Sequence, residues 1–67
     1  MINVEEIYRS ILNIITASLR EKKINKNFAN KIRKVSYSSY YKFKRGKLSE
    51  DNFRKILNDA LAKIENI

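Results

Sequence analysis

Two amphipathic stripes, each preceded by its own start signal, bracket this chain and commit both its ends to helix. The first signal is Ile2-Asn3-Val4-Glu5-Glu6-Ile7. Asn3 is placed to cap, Glu6 stands three residues on as in a capping box, and Ile2 and Ile7 occupy the two staple positions. Glu5 and Glu6 also suit the positive end of a helix dipole. Val4, Ile7, Tyr8, Ile11, Leu12, Ile15 and Leu19 then recur at helical spacing, with Ile14 at the edge of the stripe. Arg20, Lys22 and Lys23 fit a carboxyl end, so the pattern predicts a helix over about 4–22. The second signal, Leu48-Ser49-Glu50-Asp51-Asn52-Phe53, repeats the logic with Ser49 as cap and Leu48 and Phe53 as staple. Phe53, Ile56, Leu57, Ala60, Leu61 and Ile64 predict a helix over about 50–65. Its other face, with Arg54, Lys55, Asn58, Asp59 and Lys63, reads as solvated surface.

What lies between must fit one small core, because 67 residues allow a single domain. The chain has no cysteine and no histidine, which excludes a disulfide and a Cys/His zinc site, and no cofactor is expected. It has no proline, and Gly46 is its one glycine, so nothing reads as a flexible linker. Strand-like alternation is absent. The apolar run Ile11–Ile15 is interrupted by Asn13 and is too short to span a bilayer. No stretch resembles a cleaved signal peptide. The expectation is a cytoplasmic protein.

Charge is segregated. From Lys22 to Ser49 there are ten Lys/Arg and no Asp/Glu, whereas the other 39 residues carry five Lys/Arg and seven Asp/Glu. A basic block between near-neutral ends is a candidate footprint for a polyanion, set against the plainer reading of a solvated lysine-rich surface.

Within that block Asn25 is the better cap for a second element, with Asn27 as the alternative. Ile24, Phe28 and Ile32 share a face, and Ala29 is small enough for close helix approach. Val35 and Ser36 then admit two readings. Val35 is β-branched and Ser36, Ser38 and Ser39 are weak helix residues, which favours a break with Ser36 capping a new helix at Tyr37. The lack of glycine in such a turn favours one uninterrupted helix. In the restarted helix Tyr40 and Phe43 face inward with Ser39 beside them, while Tyr37, Ser38, Tyr41, Lys42, Lys44 and Arg45 face outward. Gly46 ends it. The fold class is therefore all-α. The favoured architecture is a compact helix-turn-helix domain of four helices (about 4–22, 26–34, 37–45, 50–65). The alternative is a three-helix bundle with 26–45 continuous.

These residues carry a resemblance. Ile24-Asn25-Lys26-Asn27-Phe28-Ala29 resembles the start of helix 2 in the phage-repressor-type (Cro/C1-like) helix-turn-helix family. The stretch Val35–Lys47 is similar to that family's turn and recognition helix. Val35 and Ser36 match its apolar residue and cap, Tyr40 and Phe43 its buried positions, and Gly46 the glycine after the helix. Leu48-Ser49 through Phe53, Ile56 and Leu57 look like the helix that closes its core. The likeness covers about 24–61. It departs at the helix 2–3 turn, where Arg33 or Lys34 replaces the usual glycine, and in a spacing from Ala29 to Val35 that is one residue longer. The family's usual fifth helix is missing or truncated.

The resemblance implies a small transcriptional regulator that reads double-stranded DNA in the major groove with helix 37–45. Carried over, Tyr37, Ser38 and Lys42 are candidates for base contact, with Tyr41 at the edge. Lys44, Arg45 and Lys47 would hold phosphates, joined by Asn27 at the amino end of helix 2 and by Lys31 and Lys34. A homodimer is compatible with it, through Ile14 and the terminal Ile64–Ile67. Neither a small-molecule substrate nor a membrane partner is expected. An enzyme is not expected either, since Cys and His are missing, the acids are explained by helix starts, and no Gly-rich loop exists. The rival is a three-helix protein-interaction or assembly module in which Tyr37 and Tyr41 pack on a partner chain.

Overall fold

A computed structural model describes residues 3–66 as three α-helices: α1 Val4–Arg20, α2 Lys26–Lys44 and α3 Glu50–Glu65. No strand occurs among the described residues. The helix starts lie where the sequence places them. Asn3 Oδ1 accepts from Glu5 N at 2.9 Å, Asn25 Oδ1 from Phe28 N at 2.8 Å, and Ser49 Oγ from Asn52 N at 3.2 Å. Each satisfies an amide that the first helical turn leaves without an intrahelical partner. Ile2 of the expected first staple and Ile67 of the expected dimer surface lie outside the described residues. Leu48 and Phe53 of the second staple both pack into the core.

Both turns close the same way. After α1, Lys23 N donates to Ser18 O at 2.9 Å and Lys22 N to Leu19 O at 3.1 Å. After α2, Lys47 N donates to Lys42 O at 2.9 Å and Gly46 N to Phe43 O at 3.1 Å. This paired pattern is the Schellman motif, which needs a left-handed residue just past the helix. Gly46 supplies it at φ 75°. Lys22 supplies the other at φ 62°, a conformation that disfavours a side chain by about 1–2 kcal/mol. The first helix therefore stops at Arg20, earlier than the expected 4–22, because Lys22 takes the turn position that glycine usually fills.

The main correction concerns the middle of the chain. The four-helix arrangement is not what forms: 26–34 and 37–45 are one helix, and the three-helix alternative is the fold. Ser36 does not cap. It lies inside α2, completely buried. The reason is visible in the spacing. Ala29, Ile32, Ser36, Ser39, Tyr40 and Phe43 keep one helical face inward without interruption, and Ser36 stands four residues from both Ile32 and Tyr40. Tertiary burial of that face outweighs the few tenths of a kcal/mol by which each serine disfavours helix. Ser39 Oγ reaches back to Val35 O at 2.8 Å, as a helical serine does. Ser36 Oγ has no hydrogen-bond partner among the described residues.

An unpaired buried hydroxyl destabilises, whereas a capping hydroxyl stabilises. Ser36→Ala is therefore expected to raise stability by about 1 kcal/mol, from recovered desolvation and better helix propensity. Urea unfolding followed by circular dichroism reads this directly, and a loss of about 1 kcal/mol would restore the capping role.

The helices run up, down and up. Glu5, Tyr8 and Thr16 of α1 meet Lys44, Tyr40 and Arg33 of α2 in reversed order. Phe53 near the start of α3 meets Phe43 near the end of α2. Val4, Ile11, Ile15, Phe53 and Leu57 are the largest apolar side chains sealed from water. At one end Tyr8 and Tyr40 stack with centroids 4.4 Å apart, and Phe53 lies 6.1 and 6.3 Å from them. Ile14, expected at the edge of its stripe, lies at the surface.

Candidate nucleic-acid interface

The continuity of α2 decides how the basic block is presented. Spacings of three and four along one straight helix place Asn27, Lys31, Lys34, Ser38, Tyr41, Lys42 and Arg45 along the side opposite the buried one. All are exposed. At 1.5 Å per residue, the 19 residues of α2 span about 28 Å. Every ionisable side chain on that stripe except the Tyr41 phenol is cationic. By contrast, the exposed sides of α1 and α3 carry both signs, as with Glu6 and Arg9, or Lys55 and Asp59. The first turn of α2 also lacks an acid, unlike those of α1 and α3.

Of the residues expected to touch DNA, Asn27, Lys31, Lys34, Ser38, Tyr41, Lys42 and Arg45 come together on this stripe. Tyr37 sits toward α1 and is 44 % exposed, while Tyr41 is 62 % exposed. Lys47 lies beyond the helix, in the turn to α3. Lys44 is drawn elsewhere. Its ammonium pairs with Glu5 of α1 and stands 5.6 Å from the centroid of the Tyr40 ring. Asn30, which the sequence reading did not single out, is exposed on the α1 side of the same stripe. A period count over an unbroken 26–44 would have found it.

The Glu5–Lys44 contact joins the amino end of α1 to the carboxyl end of α2. The hydrogen bond from Lys44, more than any other influence, holds the Glu5 carboxyl below its usual range, and the same bond raises the Lys44 ammonium above its own. Burial, chiefly, raises the Tyr8 phenol, with Tyr37, Tyr40 and Tyr41 adding to it. The signs define a window. A lowered carboxylate contributes stability above its unfolded pKa, and that contribution disappears as pH falls through the folded value. A raised ammonium and a raised phenol contribute below their unfolded values and are lost as pH rises through the folded ones. The melting temperature is thus expected to fall below about pH 4.3 and above about pH 10. Glu5→Gln should flatten the acid limb of a thermal-melt series while leaving the Tyr8 part of the alkaline limb. An unchanged acid limb would remove Glu5 from the account.

Comparison with known protein families, with curated proteins and with solved structures finds no match to this chain. No helix among the described residues is long and apolar enough to cross a membrane.

Proposed function

We propose that the protein binds double-stranded DNA through the outer side of α2. The observation that carries the reading is the one-signed stripe: Lys31, Lys34 and Lys42 along one continuous helix and Arg45 at its C-cap, with no carboxylate among them. A polyphosphate is the partner that rewards such an array, because each neutralised phosphate releases condensed counterions. A straight helix is also an element that the major groove of B-DNA admits. In that pose Lys31, Lys34 and Arg45 hold phosphates with Asn27 at one end, while Ser38, Tyr41 and Lys42 lie where base edges would be. Tyr37 contributes from the α1 side. Lys44 acts mainly as a structural ion pair. A regulatory role in transcription is the biological form this reading takes.

The test is a salt titration of binding to duplex DNA, followed by fluorescence anisotropy. With three phosphates neutralised by these cations, affinity is expected to fall about 40-fold between 50 and 200 mM salt. Replacing Lys34 and Arg45 together by alanine should reduce the slope by about two. Ser38→Ala and Lys42→Ala should alter preference among duplex sequences if they meet base edges. Absence of binding, or a slope unmoved by the double substitution, would overturn the proposal.

A second reading has its own observation. Tyr37 and Tyr41 lie four apart on the unbroken helix with large exposed areas, an arrangement suited to packing on a partner protein. Loss of protein association in Tyr37→Ala/Tyr41→Ala, with DNA binding absent from the parent, would favour it.

A further inference from the structure

We infer that the groove between α2 and α3 receives one large apolar side chain from an acidic segment of a partner protein. The groove runs along the edge of α2 that faces α3, beside the DNA-facing stripe. Its floor and walls are Phe28, Ile32, Val35, Ile56 and Ala60, and its volume is about 160 Å³. A cavity of about 150 Å³ holds a benzene ring, so the space suits one leucine or phenylalanine side chain and no more. Val35 is 52 % exposed there, although it is a β-branched apolar residue in a helix interior. At that exposure, packing within the described residues covers only about half of it.

The rim gives the occupant its charge. Lys31 stands on the α2 side and Lys63 on the α3 side. The one acid on the rim, Asp59, pairs with Lys63 at 3.2 Å between two largely exposed side chains. An exposed pair of this kind is worth little and exchanges readily. Carboxylates flanking the apolar side chain would therefore meet an excess of ammonium groups, as in helix-in-groove recognition. A second copy of this chain fits poorly. A two-fold contact centred here would bring together two rims that each carry two lysines and one acid. Nucleic acid has phosphates for the rim but no aliphatic group to fill the floor. The inference does not rest on the DNA reading: the two share Lys31, but the apolar floor of Phe28, Ile32, Val35, Ile56 and Ala60 belongs to the groove alone.

The experiment titrates the full isotope-labelled chain with a glutamate-rich helical peptide of about 16 residues bearing a single leucine, at about 0.15 M salt. Amide shift changes are expected to centre on Val35, Ile56 and Ala60. Exchanging the peptide leucine for alanine should weaken binding about tenfold or more. Val35→Glu in the protein should do the same while its helical spectrum and melting temperature stay close to the parent's. Lys31→Glu should weaken binding without touching the floor. Equal binding of the leucine and alanine peptides would mean surface charge alone and overturn the inference. So would shifts that miss the groove, or equivalent groove shifts produced by duplex DNA. Concentration-dependent dimerisation abolished by Val35→Glu would assign the groove to a second copy instead.

Discussion

Tyr37→Pro is expected to cost about 3 kcal/mol or more, because Tyr37 lies inside a continuous α2. A proline there removes the amide that bonds to the carbonyl four residues back, and its ring clashes with that carbonyl. Were Ser36 a cap, Tyr37 would be the first residue of a new helix. Proline is favoured at that position, since its missing amide has no intrahelical acceptor to lose. One substitution therefore separates two architectures by several kcal/mol. The side chain itself contributes little to the difference, being 44 % exposed. Tyr37→Ala is the control: it keeps the amide and should change stability by less than about 1 kcal/mol. A domain of this size holds roughly 3–10 kcal/mol in total, so the proline variant should be largely unfolded or close to it. Far-ultraviolet circular dichroism with a urea titration would show this. A proline variant as stable as the alanine control would reinstate the break and, with it, the separate helix 37–45.

The same position shows what the sequence could and could not tell. Asn3, Asn25 and Ser49 were legible as caps because each is a short polar side chain directly ahead of a periodic apolar run. The bounds 50–65 were legible for the same reason, with nothing competing inside the run. Continuity at Val35 and Ser36 was obscured because propensity and period pointed in opposite directions. Serine reads as a cap by type, yet Ser36 occupies an inward position by count, and a buried helix face accepts a small side chain there. The period carries more free energy than the propensity, since it sums over every residue on the face. The early stop of α1 was hidden because Lys22 adopts a conformation for which lysine carries no signal. The candidate interface divides in the same way. Its charge was legible, because ten cations without an acid form a feature of the one-dimensional chain. The diversion of Lys44 was not, because its partner Glu5 lies 39 residues away and is brought to it only by the bundle.

The unbroken helix also changes what the basic residues can do. A recognition helix held across a turn projects its amino end, so a few residues at that end would carry the reading. A helix of 19 residues lying flat on a bundle presents a line of cations instead. Under the proposed DNA reading, such a line would hold phosphates along its length and limit base readout to the residues between them. Lys31 and Arg45, at opposite parts of the stripe, should therefore contribute comparably to the salt slope.

Phe53→Ala is expected to be the most damaging of the simple core truncations, at about 3–5 kcal/mol. Phe53 is fully buried and sits where all three helices meet. Its ring lies 6.1 Å from Tyr8 of α1, and 6.3 and 5.0 Å from Tyr40 and Phe43 of α2. Truncation removes the burial of one large ring and three aromatic contacts, and leaves a cavity lined by side chains that other partners already hold. Tyr8 is stacked on Tyr40, so neither ring can fill the space without giving up that stack. Collapse is therefore limited, which places the cost toward the upper part of the usual range. Phe43 offers a contrast. It stacks on Phe53 but is only partly buried, so Phe43→Ala should cost less. Phe53→Leu, which keeps most of the volume, should cost roughly half as much as Phe53→Ala or less. Thermal melts of the three variants would rank them, and near-ultraviolet circular dichroism would report whether the Tyr8–Tyr40 stack survives. If Phe43→Ala proved worse than Phe53→Ala, the junction of the bundle would lie at the α2–α3 edge instead of at the point where α1 joins them.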